Sequence, residues 1–283
     1  MKMVKGWPKY IIAFLPVLAI IAVFYFYPLY VTLERSMLRG EEFIGLERYV
    51  NFLSDATFLH AFTTSLRISL ISTVVSIILG VLIALALRGT FAGKRVSLFL
   101  FQMNISIPHI AMATMVVFLL GSVGIVSSIA YQMGWISNWT DFPKMIHDVS
   151  PFGIVVAYSL KFIPFIGMAV LAVLQAFPVE YEQQSRSLGV GRLRTFFHVT
   201  LPAIVPAIAT SSMIVFAFSF GCYEVPSILL HDVTVPTLIY NSFYDFYDPE
   251  GRPTGYAAAI MLTVLMTSIA AVYLYLTSRG RRA

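Results

Sequence analysis

The sequence is poor in cysteine and in charge. Its 283 residues include one cysteine, Cys222, which excludes an internal disulfide framework and a cysteine-based metal site. Charged residues make up 12% of the chain and hydrophobic residues 58%, whereas an average soluble domain carries about 25% charged residues. A water-soluble globular protein is therefore excluded, and so is a disordered chain, which combines low hydrophobicity with high net charge. The composition indicates an integral membrane protein.

The signatures of several enzyme classes are also missing. The sequence contains no Walker A motif, no His-Glu-x-x-His and no Gly-x-Ser-x-Gly, so any ATP hydrolysis requires another chain and a membrane-embedded hydrolase is disfavoured. The histidines do not fall at metal-ligand spacing, and no metal site is predicted. The long apolar runs hold no clearly internal Asp or Glu, whereas ion-coupled secondary transporters usually carry acids there. That transporter class is kept as the alternative.

The sequence does contain a series of apolar runs long enough to cross a bilayer, which takes about 20 residues as a helix. The first run extends from Tyr10 to about Thr32. It is too long for a signal peptide and ends in bulky residues, so it is predicted to be retained. Further helices are predicted at about 62–87, 96–121, 151–177, 201–222 and 256–278, and a short interfacial helix within 122–139. Since no run alternates as barrel strands do, an all-α membrane protein with six transmembrane helices is predicted.

Lys and Arg are distributed unevenly between the two sets of loops. Twelve of the 19 lie in the termini and in the second–third and fourth–fifth loops: Lys2, Lys5, Lys9, Arg88, Lys94, Arg95, Arg186, Arg192, Arg194, Arg279, Arg281 and Arg282. By the positive-inside rule, both termini are predicted to be cytoplasmic. Twelve of the 14 acidic residues fall on the opposite side. Acids there would attract a cationic solute, but a docking site for a binding protein or a simple topological bias would leave the same pattern. The exceptions are Glu180 and Glu182.

Those two acids lie in a cytoplasmic loop that is too long to be a simple link. Residues 178–200 are polar and rich in helix formers. Pro178 suits a helix N-terminus, where the helix dipole favours acids such as Glu182, and Gly189 suits the C′ position that ends the helix. A second short helix, from 191 to about 198, is predicted to lead into the fifth span. Such a segment needs a partner to pack against, although composition alone fits a plain connecting loop equally well.

The loop resembles the EAA loop of type I ATP-binding-cassette importer permeases. That motif consists of Glu-Ala-Ala, three residues, Gly, nine residues, a β-branched or Ile position, one residue and Leu-Pro. The spacing from the glycine to the Leu-Pro pair matches without a gap. The matching positions are Gln183, Gln184, Ser185, Gly189, Val199, Leu201 and Pro202. The motif's glutamate is Gln183 here, and Glu182, one residue earlier, is the second candidate for its role.

The resemblance implies the domain organisation and the partners. It covers about residues 59–277 as one permease core, with residues 1–58 holding the added first helix and 278–283 forming a basic tail. The fold it implies is that of type I importer permeases, in which the 178–200 loop, including Arg186, docks on an ATPase. The implied partners are a second permease subunit, preferably a homologous one, two ATPase subunits that bind ATP and Mg, and an external substrate-binding protein. No cofactor on this chain and no nucleic acid are implied.

The candidates for the translocation pathway lie in or near the fourth and fifth spans. They are Lys161, Phe162, Phe218, Tyr223 and Glu224. Lys161 either snorkels outward or forms a structural ion pair, with Glu224 as the predicted partner, or it faces the pathway. Residues 216–226 either line the pathway exit or belong to an interfacial aromatic belt. His109 follows Pro108, where a kink is expected, and is predicted to bond a carbonyl that the kink frees.

The predicted function follows from this resemblance. The chain is identified as the permease subunit of a bacterial ATP-driven, binding-protein-dependent importer in the inner membrane, without an ATPase site of its own. The 216–226 stretch and the residues just before Gly189 look most like those of polyamine and small organic-ion permeases, whereas sugar permeases more often carry an acid just before the glycine. The predicted substrate is therefore a polyamine or another small organic ion. An ion-coupled secondary transporter and a sugar-class importer permease are the alternatives.

Overall fold

The computed structural model describes residues 7–147, 150–229, 233–245, 247 and 250–280. Seven of the charged residues that were counted above to predict the topology lie outside the described residues: Lys2, Lys5, Asp148, Asp232, Asp248, Arg281 and Arg282. Within the described part, six helical segments are long and apolar enough to cross a membrane: Phe14–Ser36, Ala56–Arg88, His109–Gln132, Phe152–Ala176, Arg192–Gly221 and Gly251–Tyr273. The prediction of six membrane-spanning helices is confirmed. The side on which the termini lie stays a prediction.

The described chain is almost entirely helical. Its helices are α1 (Trp7–Ile21), α2 (Tyr27–Ser36), α3 (Glu47–Phe52), α4 (Ala56–Arg88), α5 (Lys94–Met103), α6 (His109–Leu120), α7 (Ile125–Gln132), α8 (Phe152–Ala176), α9 (Val179–Ser187), α10 (Arg192–Thr195), α11 (Leu201–Gly221), α12 (Glu224–Leu229), α13 (Val235–Tyr244) and α14 (Gly251–Gly280). The π-helical turns Ala22–Phe26 and Phe196–Thr200 join α1 to α2 and α10 to α11, and Asn104–Ser106 and Trp139–Asp141 form 3₁₀ turns. The strands β1 (Leu38–Arg39) and β2 (Glu42–Phe43) form a short antiparallel hairpin.

The chain divides into two compact units. The first comprises Met1–Leu59 and Leu238–Thr267, and the second His60–Thr237 and Ser268–Ala283. Arg48 organises the first unit around the hairpin, a feature that the sequence did not suggest. Its guanidinium is buried and donates to the carbonyl of Ser36 at 2.7 Å, to the carbonyl of Leu38 at 3.1 Å and to the Glu250 carboxylate at 2.5 Å. A buried Arg is tolerated there because it makes these three hydrogen bonds, one of them to a carboxylate.

Helix α8 forms the centre of the second unit. Its buried side chains include Tyr158, Ile166, Val170, Leu171 and Leu174. They pack with apolar residues of α4, α6, α11 and α12 in one hydrophobic cluster, in which Ile68, Val116, Val215 and Leu229 are almost completely buried. Because hydrocarbon tails are as apolar as these side chains, close packing rather than a hydrophobic driving force holds such helices together.

Helices α4 and α8 approach each other closely at two glycines, Gly80 and Gly167. A Cβ atom added to Gly80 would lie 3.0 Å from the carbonyl oxygen of Ile163 and 3.1 Å from the backbone nitrogen of Gly167. A Cβ atom added to Gly167 would lie 3.1 Å from the carbonyl oxygen of Gly80. The backbones can therefore meet here only because both positions lack side chains, which is the usual role of small residues between membrane helices.

The predicted third helix, 96–121, is wrong as a single element. Helix α5 ends at Met103, a 3₁₀ turn follows, and Ile107 has extended backbone angles (φ −68°, ψ 127°) before α6 begins at His109. The interruption falls where the sequence predicted a kink, because a residue that precedes proline avoids the helical conformation and Pro108 has no N–H to donate. A short helix within 122–139 is present as α7, but it forms the end of the candidate span His109–Gln132, so the third span lies later in the chain than predicted and α7 is not a separate interfacial helix.

Candidate functional site

The 178–200 loop is an ordered helical segment between α8 and α11. Phe177 has extended backbone angles because Pro178 follows it, and α9 begins directly after that proline. At the other end, Gly189 has a φ of +80°. The N–H of Val190 donates to the carbonyl of Ser185 at 3.2 Å, and the N–H of Gly189 donates to that of Arg186 at 2.9 Å. This is a Schellman motif with glycine at C′.

The remaining motif positions connect the loop to α11 without a flexible linker. Val199 lies in the π-helical turn that follows α10, and Leu201 and Pro202 are the first residues of α11. Pro202, which has no N–H to donate, follows directly on the π-helical turn, in which the N–H of Leu201 donates to the carbonyl of Phe196. The second half of the loop, from α10 onward, therefore continues into α11 as one helical segment, whereas α9 is separated from it by the turn at Gly189.

The motif residues of α9 divide between two faces. Gln183, Gln184 and Arg186 are exposed, whereas Ser185 is half-buried and its Oγ lies 3.1 Å from Oγ1 of the buried Thr195. The exposed face is therefore polar, and the opposite face binds α9 to the second half of the loop.

Glu182 points into the protein rather than outward. Its side chain is 13% exposed, and its Oε1 accepts hydrogen bonds from Nη1 of Arg88 at 2.6 Å and from Oγ1 of Thr200 at 2.7 Å. Burial by itself raises the pKa of Glu182, but the hydrogen bonds from Thr200 and Arg88 and the charges of Arg88 and Arg186 outweigh it and lower the pKa below its ordinary range. Oε1 of Glu182, the second candidate for the motif's acid, is therefore bound within the chain, and a contact of this residue with a docking partner stays a prediction.

The tip of the loop is apolar and exposed, which sequence reasoning missed. The side chains of Leu188 and Leu193 are 84% and 76% exposed on either side of the Gly189 turn. Tyr181 and Phe197 are also more than half exposed. The available signal was the presence of two leucines beside Gly189 in a stretch, 185–194, that is rich in Ser and Arg. We call Leu188 and Leu193, which flank the Gly189 turn, the apolar tip.

Lys161 belongs to α8, and its side chain lies against the break between α5 and α6. Its residue exposure is only 8%, and its Nζ donates to the carbonyl oxygens of Ile105, at 2.7 Å, of Ile107, and of Asn104, at 3.5 Å. In the part of the chain that the structure describes, no ion pair joins Lys161 to Glu224. The predicted partner is therefore wrong, because the break at Pro108 leaves carbonyls without helical donors and these are what the ammonium group binds.

His109 does not take the role predicted for it. Its Nε2 atom is buried and has no hydrogen-bond partner among the described residues. Instead the imidazole stacks on Phe218, with ring centroids 4.9 Å apart and planes 11° apart, and lies 5.8 Å from the ring of Phe162. Lys161, which is longer, reaches the freed carbonyls.

The pathway candidates are only partly brought together. Phe162 is buried and lies 6.2 Å from the half-exposed ring of Phe218, so that these two rings and His109 form one cluster beside the Lys161 site. Tyr223 lies in the break between α11 and α12, and the exposed Glu224 begins α12. Within the described ranges, no group of three or more His, Cys, Asp or Glu is placed to hold a metal ion.

Replacing Lys161 with methionine is expected to destabilise the protein. The substitution keeps an apolar stem but removes the ammonium donor from the carbonyls of Ile105 and Ile107, at a cost of about 1–3 kcal/mol per unsatisfied buried group. Thermal unfolding of the detergent-purified protein measures the effect, and Arg67→Met is the matched control because Arg67 is an exposed cation of α4. Equal melting temperatures for Lys161→Met and the wild type would contradict the assigned structural role.

Comparisons with known proteins agree with this arrangement. The family model described as "Binding-protein-dependent transport system inner membrane component" matches residues 76–282. The "Molybdenum transport system permease protein ModB" of Escherichia coli (strain K12) is 25% identical over 207 residues, which cover 72% of this chain and 86% of that protein. The "Spermidine/putrescine transport system permease protein PotC homolog" of Mycoplasma genitalium is 25% identical over 190 residues, covering 67% and 61%.

A solved structure supports the fold over nearly the whole chain. A chain from the "Crystal structure of a bacterial ABC transporter involved in the import of the acidic polysaccharide alginate" superposes with a TM-score of 0.76. The superposition covers 97% of this chain and 96% of that one, at 20% sequence identity. The likeness therefore extends beyond the matched family region to the first spans.

Proposed function

Because the chain belongs to the family of binding-protein-dependent transport system inner membrane components, we propose that it forms half of the solute pathway of an ATP-driven importer and couples to the ATPase through its 178–200 loop. As a multi-pass inner membrane permease subunit it is a transport component, and we place ATP and Mg on the partner subunits. The basic loops, including the one that carries α9, face the cytoplasm in this proposal.

The observation that carries the coupling role is the apolar tip on a rigid loop. Leu188 and Leu193 are largely exposed although the loop is well ordered, and α10 continues through a π-helical turn into α11. A leucine side chain gains about 1.5–3 kcal/mol when it is fully buried, so a partner that covers both leucines would bind the tip. The exposed Gln183, Gln184 and Arg186 surround that contact with polar groups.

The same proposal sets the composition of the complex. The chain holds one permease core and one loop, so a second permease chain is needed to complete the pathway. We favour a homologous second chain, because the altered motif with Gln183 in place of glutamate suggests that the two halves differ. Two ATPase subunits and an external binding protein complete the importer, and one relative in fold was solved with an "alginate pentasaccharide-bound periplasmic protein".

Two substrate classes have a specific observation in their favour. A polyamine or similar organic ion fits the pattern of residues 216–226 and the spermidine/putrescine relative. An oxyanion fits the molybdenum relative and the sign of the internal charge, because Lys161 is a buried cation while the described spans hold no internal acid to accompany a polyamine. We rank the oxyanion first on the charge argument. For either solute we assign the same pathway residues: Phe162, Phe218, Tyr223 and Glu224. The buried Lys161 lies beside the cluster that Phe162 and Phe218 form, and we include it in the pathway.

Reconstitution tests the function directly. The two permease chains and the ATPase subunits are placed in proteoliposomes with the binding protein, and solute uptake is measured with ATP inside or with an ion gradient alone. ATP-dependent uptake is expected, whereas uptake driven by the gradient without ATP would identify an ion-coupled secondary transporter. A thermal-shift screen of the binding protein with molybdate, sulfate, spermidine and alginate oligosaccharides selects the solute. Stabilisation by spermidine but not by the oxyanions would reverse our ranking.

A further inference from the structure

Three segments that are far apart in the sequence meet at one carboxylate oxygen. Oε1 of Glu182, in α9, accepts from Nη1 of Arg88, the last residue of α4, and from Oγ1 of Thr200, the residue immediately before α11. We call these three residues the clasp. Arg88 also donates from Nη2 to the carbonyl of Phe177, at the end of α8, at 3.5 Å. The clasp therefore joins the loop helix to the ends of three membrane spans.

The clasp is buried and charged. The side chains of Arg88 and Glu182 are 17% and 13% exposed, and Thr200 is 3% exposed. Exposed ion pairs contribute little, because water competes for both partners, but hydrogen bonds between ionised groups that are shielded from water are short and strong. The distances of 2.6 and 2.7 Å belong to that class.

The clasp stays ionised at neutral pH. The pKa of Glu182 is lowered, so the stabilisation it provides is fully present above the ordinary pKa of glutamate and is lost only as the pH falls through the lowered value. At cytoplasmic pH the carboxylate is therefore a permanent charge, and the clasp acts as a fixed joint rather than as a pH-dependent switch.

Side-chain packing alone does not fill the space between the loop and the spans. A cavity of about 130 Å³ lies against the clasp, lined by Leu85, Arg88, Glu182, Arg186, Thr195 and Thr200, among others. Helix α9 also packs on the second half of the loop, where Ser185 bonds Thr195, but across this cavity interdigitated side chains are missing and polar contacts bridge the gap. The clasp supplies the contacts that lead from α9 to α4 and α11.

We propose that the Arg88–Glu182–Thr200 clasp is the joint that converts displacement of α9 into movement of spans α4 and α11. This inference rests on the proposed function, since it concerns how the loop acts once the ATPase is docked. Glu182 is a positioning residue here: it holds the loop to the spans, while the apolar tip makes the contact with the ATPase. Weakening the clasp should therefore separate ATP hydrolysis from solute movement without releasing the ATPase.

The test uses the complete transporter in proteoliposomes and measures the solute imported per ATP hydrolysed. Glu182→Gln keeps the shape of the side chain but removes the charge, and we expect this ratio to fall at least about tenfold, the effect of losing a buried hydrogen bond to a charged group. Thr200→Val removes one of the two bonds and should lower the ratio less. Glu180→Gln is the matched control, because it makes the same chemical change at an exposed acid of the same helix and should leave the ratio unchanged.

A rescue experiment distinguishes a clasp that transmits movement from one that only stabilises the fold. The exchange Arg88→Glu with Glu182→Arg restores a pair of opposite charges, and it should recover part of the ratio that either single substitution loses. A double variant as defective as the single ones, a wild-type ratio in Glu182→Gln, or loss of the ATPase subunits from Glu182→Gln would each overturn the proposal. If Glu182→Gln does not fold, the Thr200→Val ratio decides, with a wild-type value refuting the joint. Wild-type transporter without ATP-dependent uptake would instead refute the proposed function.

Discussion

Replacing Gly80 with leucine is expected to eliminate most of the folded protein from the membrane. At this position the first side-chain carbon alone would lie 3.0 Å from the carbonyl oxygen of Ile163 and 3.1 Å from the nitrogen of Gly167, both backbone atoms of α8. The further carbons of leucine fit only if the two helices separate. Overpacking a core typically costs 1–3 kcal/mol, and we expect about the upper end of that range here because the obstruction is backbone.

The amount of monodisperse protein extracted in mild detergent and its thermal unfolding measure the effect of Gly80→Leu. Gly221→Leu is the matched control, because Gly221 is also a helical glycine but a Cβ atom there would meet nothing within 4 Å. The control should be extracted in wild-type amounts. A normal yield and melting temperature for Gly80→Leu would show that the approach of α4 and α8 is not a requirement of the fold.

The second large effect is expected from Leu193→Asp at the apolar tip. Burial of a leucine side chain contributes about 1.5–3 kcal/mol, which corresponds to roughly a ten- to 150-fold change in binding, and an aspartate in its place adds the cost of burying a charge. The variant should therefore lose the ATPase subunits on purification and lose ATP-driven uptake. Its own folding should be unaffected, since the leucine is 76% exposed within the chain.

Co-purification of the ATPase with tagged permease tests this prediction, with thermal unfolding of the permease as the check on folding. Leu46→Asp is the control, because Leu46 is also a largely exposed leucine, 62%, but lies outside the 178–200 loop. It should retain the ATPase subunits. Retention of normal amounts of ATPase by Leu193→Asp would place the docking contact elsewhere, whereas Glu182→Gln is expected to keep the ATPase and lose only the coupling.

The elements that could be predicted are those specified by local patterns. The lengths of the apolar runs predicted the spans that correspond to α8 and α11 within one residue at each end, because a bilayer imposes a minimum length on any helix that crosses it. Helix α4 begins six residues earlier than predicted, at Ala56. The glycine at 189 ends α9, because a left-handed C′ position is set by the residue that occupies it. The orientation of the protein in the membrane, which was predicted from Lys and Arg, stays a prediction.

The contacts of individual side chains could not be predicted in the same way. Glu182 and Gln183 are neighbours in the sequence, and only the rotation of α9 relative to the spans decides which of them meets Arg88, 94 residues away. The same holds for Lys161: an internal lysine predicts a partner, but the partner became the carbonyls of a broken helix rather than the acid at 224. Arg48 and the hairpin beside it gave no signal at all.

The sequence by itself therefore determined that this is a six-span membrane protein with a loop spaced like those of importer permeases, because hydrophobic length and motif spacing are properties of consecutive residues. Only the tertiary structure decided that the third span begins after the break at Pro108, that Lys161 binds carbonyls at that break and that Glu182 joins the loop to the ends of the spans. Those outcomes depend on which groups approach one another across the helix bundle. The scarcity of charged residues indicates a membrane protein. Only the helix packing shows which groups bind Arg48, Lys161 and Glu182.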